Sequence, residues 1–343
     1  MSDVALIGID LGKHSFHLHG QDKAGRMVFR KKLTRGQMFT LLGNFPPCTV
    51  VMEACAGAHW VARRVAALGH QAKLISPQFV KPFVQGNKND FVDAQAICEA
   101  ASRPSMRFVS PRTETQQTIS ALHRVREALV RERTVTINQI HGFLLEFGIS
   151  LPNGPAIVKR LPAVLAEHEA ALPPRLMGLL ERLRAHFAYL NEQITELERE
   201  LKQQLAEDDN SSRLLEIPGV GPITASVLAT DLGDAKQFAN ARQFASSVGL
   251  VPRQYSTGGK PTLLGISKRG DKNLRRLLVQ CAHAVMLRIE RRHDALGAWV
   301  RTMLTRRHTN VVACALANKL ARIAWAIIAK GTRYDSGQAA ATA

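Results

Sequence analysis

Four acidic residues stand where metal-assisted phosphodiester chemistry would place them. Asp10 closes the apolar run VALIGID (residues 4–10), and Glu53 closes a second run, TVVME (49–53). Asp90 and Asp93 lie three apart in NKNDFVDAQ (87–95), where a helical pattern begins, and residues three apart share a helix face. Carboxylates crowded at one point repel unless cations neutralise them, and hard oxygen donors suit Mg²⁺ or Mn²⁺ rather than zinc. Two such ions can clamp the attacking and leaving oxygens of a phosphodiester. Taken singly, each acid has a plainer reading: Asp90 as an N-cap, Asp93 as a first-turn acid favoured by the helix dipole, Glu53 as a surface residue. Their joint placement favours the metal site. His17 and His19 share a strand face and hint at zinc, but no further His or Cys is spaced to help, so they read as structural.

The chain that carries these acids is basic. Its 343 residues hold 46 Lys+Arg against 28 Asp+Glu, a net charge of +18, which points to nucleic acid as partner. A hydrophobic fraction of 45% marks a folded protein, long enough for two or three domains. The apolar stretch 311–329 is interrupted by Lys319 and Arg322 and reads as a buried helix, so no membrane partner is expected. The N-terminal residues read as leading straight into a strand, so no signal peptide is expected. Five cysteines without C-x-x-C spacing fit a reduced, cytoplasmic, nucleoid-associated protein.

The positioning elements follow from periodicity. Strands are expected at 4–10, 14–19, 27–33, 49–53 and 72–76, with helices at 36–42, 58–68 and over Asp90 and Asp93. The order βββαβαβα predicts a mixed α/β sheet with helices on both faces. If strands one and four are neighbours, Asp10 and Glu53 end at one spot that Asp90 and Asp93 can approach.

From about 113 to 205 the pattern is helical, with two long helices, a break at 150–154 and a shorter helix at 156–169. Leu176, Leu180, Leu183, Phe187, Leu190, Ile194, Leu197 and Leu201 form a coiled-coil a/d seam. Such a seam specifies a partner helix, either within the chain or in a second copy. Arg124, Arg126, Arg131 and Arg133 line the first long helix as a solvated or phosphate-binding face. A helix–turn–helix pattern follows in LLEIPGVGPITASVLA (214–229), resembling a helix-hairpin-helix. Backbone N–H groups around Gly219 and Gly221 can face a phosphate there. Beyond it, PRQYSTGGK (252–260) reads as a polar loop, ISKRGDKNLRR (266–276) opens a basic helix, and the tail from 333 reads as disordered.

These motifs resemble a family. GIDLGK, VMEACAG and NKNDFVDA are similar to the DEDD, RuvC-like (RNase H-like) domain of bacterial IS110-type insertion-sequence transposases, most like the IS1111 branch. IPGVGPITA, GLVPRQYSTGGK and GISKRGDKNLR resemble that family's C-terminal transposase domain in the same order. The resemblance spans about residues 5 to 330. It implies a RuvC-like catalytic domain (1–110), a helical coiled-coil segment (111–208) and a C-terminal transposase domain (209–332). It further implies a DNA recombinase guided by a structured bridge RNA from the element, which pairs with donor and target DNA, in a homo-oligomer such as a dimer or tetramer. By motif, Ser256 becomes the nucleophile that forms a phosphoserine link, with Thr257 the alternative hydroxyl.

Chemistry is compatible with that role. A hydroxyl on a Gly-rich loop can approach a phosphate, and Arg253, Lys260, Lys268 and Arg269 can stabilise developing charge. Serine alone is a weak nucleophile and needs help. Taken without the family, STGG is ordinary turn chemistry. Three other readings compete. A RuvC-type junction endonuclease would use the same acids with water. A sugar kinase or actin-like ATPase would need a second duplicated domain with further phosphate loops, and a non-catalytic nucleic-acid binder leaves the acids unexplained.

Overall fold

A computed structural model describes residues 4–85, 89–152, 154 and 156–337. The chain forms two compact units, Met1–Gln117 and Thr118–Ala343.

In the first unit, β1 (Leu6–Leu11), β2 (Ser15–Gln21) and β3 (Met27–Thr34) make an antiparallel meander. Helix α1 (Arg35–Gly43) opens on a capping box between Thr34 and Gln37, whose side chains satisfy N–H groups at the helix start. Then come β4 (Thr49–Glu53), α2 (Ala58–Ala67), β5 (Gln71–Ile75), a short turn α3 (Pro77–Val80), α4 (Asp90–Ala101) and β6 (Phe108–Val109). The expected βββαβαβα order is present, and the two-residue β6 is added to it. The sheet runs β3-β2-β1-β4-β5-β6, with β4 parallel to both β1 and β5. Strands one and four are therefore neighbours.

Side-chain alternation sorts the two faces. Ile7, Ile9, Val50 and Met52 point into a core shared with Met38, Leu42, Val61 and Val65 of α1 and α2. Val51 and Ile75 point the other way, toward Ala96, Ile97 and Ala100 of α4. Gly8 makes the close approach of α4 possible. A Cβ at Gly8 would lie 2.4 Å from the Ala94 carbonyl oxygen and 2.7 Å from Cys98 Sγ. By the same parity, Asp10 and Glu53 belong to the α4 face of the sheet.

Among the described residues the second unit is helical apart from one hairpin. Its long helices α5 (Glu114–Leu145, which begins at the end of the first unit) and α7 (Pro174–Ala206) flank α6 (Ala156–Glu167). Smaller elements follow: α8 (Asp209–Leu214), α9 (Pro222–Leu232), α10 (Ala241–Ser247), β7 (Pro252–Gln254), β8 (Leu263–Ile266), α11 (Lys272–Met286), α12 (Ala295–Leu304) and α13 (Thr309–Lys330). Residues 111–208 and 209–332, read above as separate, pack together, since α7 contacts both α8 and α9.

The leucine seam finds its partner inside the chain. Leu180 joins Ile140, Leu144, Leu161 and Leu165 of α5 and α6, with Leu176, Leu183 and Phe187 packed alongside. Arg126 pairs with Glu198, and Arg133 donates to Asn191 Oδ1 at 2.7 Å, so α5 and α7 run antiparallel. Leu190, Ile194 and Leu201, further along the seam, are buried within the chain as well.

Helix α13 is the one described helix long and apolar enough to cross a membrane. It lies at the centre of the second core, where Leu316, Leu320 and Ala324 are fully buried. Even Lys319 is buried, its ammonium 5.3 Å from the Trp299 ring centroid. The chain after α13 is anchored at its start. Arg333 pairs with Glu216, and the Tyr334 N–H donates to the same carboxylate. The rest of the expected disordered tail, 338–343, lies outside the described residues.

Candidate active site

The four acids are presented by three elements. Asp10 stands near the C-terminal end of β1, and Glu53 ends β4 beside it. Asp90 and Asp93 occupy the first turn of α4, above the same sheet face. Asn89 is the cap of that helix: its side chain accepts from the Phe91 N–H at 2.9 Å. Asp90 is thus not needed as the N-cap, and its carboxylate is left to other partners. Asn87 and Lys88 of the motif lie outside the described residues.

Glu53 feels two of the other acids. The Glu53 carboxyl is held above the usual carboxylate range, first by burial and then by the charges of Asp10 and Asp93. One donor atom each from Asp10, His17 and Asp90 lies within 4.8 Å of the others. Like charges gathered this way need a cation or a proton, and a divalent ion held by carboxylate oxygens fits the donor set. Bound there, such an ion would find Asp10, Glu53, Asp90 and Asp93 as its holding groups.

His17, read from sequence as structural, belongs to this cluster. Its Nδ1 lies 3.5 Å from Asp90 Oδ2, and its ring sits edge-on to Phe91 with centroids 4.7 Å apart. The signal that finds it is register: in the β1–β2 hairpin, Asp10 pairs directly with His17. His19 is turned to other work, 3.2 Å from the Gln21 amide.

Ser256 sits in different surroundings. The segment 252–260 is not an open loop, because β7 and β8 pair antiparallel and Thr257 bridges Lys260 at the tip. Residues 252–260 are all exposed. Gly258 and Gly259, with φ of 56° and 77°, make the reversal that a side chain would strain. Gln254 Nε2 donates to Ser256 Oγ at 2.9 Å. Arg253 and Lys260 flank the hydroxyl in sequence on this hairpin, and Thr257 stands beside it.

Lys268 and Arg269 lie just past β8, in a turn pinned to the core. The Lys268 N–H donates to the Gly249 carbonyl, and Arg275 donates to the carbonyls of Val248 and Arg269. Lys268 itself has a positive φ of 56°, rare for a residue with a side chain. A Cβ at Gly270 would lie 1.7 Å from the Ser247 carbonyl oxygen, which shows how tightly the turn is seated.

The remaining predicted contacts divide. Arg124 and Arg131 are exposed on α5, whereas Arg126 and Arg133 are engaged with α7. Between α8 and α9, Gly219 has φ +78° and Gly221 caps α9. Gly219 is small for a packing reason: a Cβ there would stand 2.5 Å from the Cys281 carbonyl oxygen on α11. All five cysteines are free thiols.

Comparison with known proteins agrees with both halves. Residues 7–149 match the DEDD transposase model of the IS110 type, and residues 211–297 match the transposase IS116/IS110/IS902 family. The chain is 64% identical over 335 residues to the transposase for insertion sequence element IS1328 of Yersinia enterocolitica, covering 98% of this chain and 100% of that protein. It is 47% identical to a probable family 20 transposase of Pseudomonas aeruginosa, over 98% of this chain and 100% of the relative. Identity to the transposase for insertion sequence element IS1111A of Coxiella burnetii is 41%, over 98% and 93% of the two chains. With both family regions matched in order and relatives alike over nearly the whole length, the chain belongs to the IS110 family of insertion-sequence transposases, enzymes of DNA strand transfer.

Proposed function

We propose that this transposase performs metal-dependent, RNA-guided DNA strand cleavage and exchange through a covalent phosphoserine intermediate. The observation that carries the reading is that Asp10 and Asp90 share one donor cluster while Glu53 feels the charges of Asp10 and Asp93. On this reading the mixed sheet is a RuvC-like domain, and the four acids hold Mg²⁺ or Mn²⁺. The bound ion supplies charge stabilisation to the phosphodiester and lowers the cost of deprotonating an attacking oxygen.

The chain's own groups then have defined tasks. The Ser256 hydroxyl loses its proton and attacks phosphorus, forming a P–Oγ bond, while the bond to one DNA oxygen breaks and that oxygen takes up a proton. A hydroxyl from the other DNA strand later attacks the same phosphorus, releasing Ser256. Strand exchange thereby proceeds without net loss of phosphodiester energy. The exposed hairpin suits the role, since a nucleophile that must meet a rigid duplex gains from standing clear of the fold. Arg253, Lys260, Lys268 and Arg269 stabilise charge on the phosphoryl oxygens. Arg124 and Arg131, with the Gly219–Gly221 turn, contribute sequence-independent contacts to nucleic-acid backbones.

The guide is an element-encoded structured RNA that pairs with donor and target DNA, and the working form is a dimer or tetramer in the bacterial cytoplasm. That assembly rests on the family resemblance, because the leucine seam is satisfied within the chain.

The test uses element-junction DNA, the element's flanking RNA and Mg²⁺. Wild-type protein should cleave, and EDTA or Asp10→Asn should abolish cleavage while nucleic-acid binding survives. Cleavage that persists in both arms would remove the metal assignment.

A further inference from the structure

The carboxylate cluster contains a nitrogen donor that its DEDD description leaves out. His17 lies directly across from Asp10 in the β1–β2 pairing, and directly opposed residues of an antiparallel pair project to the same face. Helix α4 covers that face through its contacts with β1 and β2. The His17 side chain is 6% exposed, and Phe91 of α4 braces its ring edge-on. The imidazole is therefore fixed in place before any ligand arrives.

Its direction matters as much as its burial. Nδ1 faces Asp90 Oδ2 at 3.5 Å, and donor atoms of Asp10, His17 and Asp90 fall within 4.8 Å of one another. An ion with bonds of about 2.1 Å sets its donors roughly 3 Å apart when adjacent and about 4.2 Å apart when opposite. Three donors spanning no more than 4.8 Å can thus be drawn into one coordination sphere by adjustment of their side chains. The ring nitrogen faces Asp90, and an Asp10 carboxylate oxygen completes the same cluster of donors.

We propose that His17 is a metal ligand of this site, donating Nδ1 to the ion that Asp10 and Asp90 also hold. The inference rests on the reading of the carboxylates as a divalent-cation site. Its chemical consequence is selectivity. Replacing one hard oxygen donor by a borderline imidazole nitrogen favours Mn²⁺ over Mg²⁺, the ion that prefers all-oxygen surroundings.

The experiment is pulsed electron paramagnetic resonance on the full-length protein loaded with Mn²⁺ below one equivalent. Wild type should show modulation from a directly bound imidazole ¹⁴N, and labelling the histidines with ¹⁵N should convert it. The modulation should vanish in His17→Gln and in His17→Asn, two variants so that one misfolded protein does not decide the matter. It should persist in His19→Gln, which alters the neighbouring histidine on the same face. In competition, the Mg²⁺ concentration that displaces Mn²⁺ should fall about 10- to 100-fold in the His17 variants, the scale of losing an ordered metal-site partner.

Mn²⁺ that binds in wild type, is lost in Asp10→Asn, yet shows no ¹⁴N coupling would overturn the His17 assignment and leave the carboxylate site standing. Coupling that survives in the His17 variants would overturn it equally. Mn²⁺ binding no tighter to wild type than to Asp10→Asn would bring down the metal reading, and His17 with it.

Discussion

Replacing His123 with Gln should make the second unit less sensitive to acid. His123 on α5 is buried, and its Nε2 lies 2.9 Å from Ser226 Oγ on α9, so the pair ties the long helix to the core. Burial, and then the nearby Arg126 charge, push its pKa from 6.5 down to about 4. The unfolded chain therefore takes up a proton near pH 6.5, while the folded one refuses it until about pH 4. Stability is intact above 6.5, falls as pH drops through that value, and reaches its full loss below 4. At pH 4.5 the difference is about 2.5 kcal/mol, against almost none at pH 7.5. Urea unfolding would be followed through Trp299 and Trp325 in a Trp60→Phe background, so that only the second unit reports. Between pH 7.5 and 4.5 the parent should lose about 2.5 kcal/mol more than His123→Gln, since carboxylate contributions are common to both. Equal losses in the two proteins would refute the reasoning from burial.

Two further substitutions test how the fold serves the site. Gly8→Val should lift α4 from β1, because even a Cβ there meets the Ala94 carbonyl oxygen at 2.4 Å. Expected are a stability cost of about 1–3 kcal/mol and a strand-cleavage loss on the order of 100-fold, as Asp90 and Asp93 shift away from Asp10; normal cleavage would mean that α4 does not set the geometry. Leu190→Ala should cost about 2–5 kcal/mol in denaturant unfolding, since Leu190 is 1% exposed within the chain, while the solution mass stays unchanged. A change of mass without loss of stability would return the seam to the role of an interface between copies.

Much of the first unit was legible because β1, β2 and β4 are buried along most of their length and α2 is amphipathic. Apolar runs and their ends locate Asp10 and Glu53, whereas the adjacency of β1 and β4, a condition in the sequence, is settled by the sheet order. What escaped was short, exposed or long-range. β6 has two residues, too few to show a period. β7 and β8 are mostly exposed, so no alternation of apolar and polar residues marks them, and the Ser256 hairpin reads as a loop. The heptads named a seam, but the choice between α5 of the same chain and a second copy depends on tertiary packing that spacing does not encode. His17 lay within reach. A hairpin turning at Gly12–Ser15 sets residue 10 opposite residue 17, and register would have placed the imidazole beside the acids. The minimal size of Gly219, read toward a phosphate, is explained in the structure by α11.

The most direct test of the central claim is a covalent trap. Protein, Mg²⁺, element-junction DNA and the element's flanking RNA would be incubated and resolved on a denaturing gel, wild type beside Ser256→Ala and Thr257→Ala. The account predicts a protein–DNA adduct in wild type and Thr257→Ala that is absent from Ser256→Ala. DNA cut without any adduct would contradict it and leave water as the attacking group, while an adduct that survives in Ser256→Ala would place the nucleophile elsewhere.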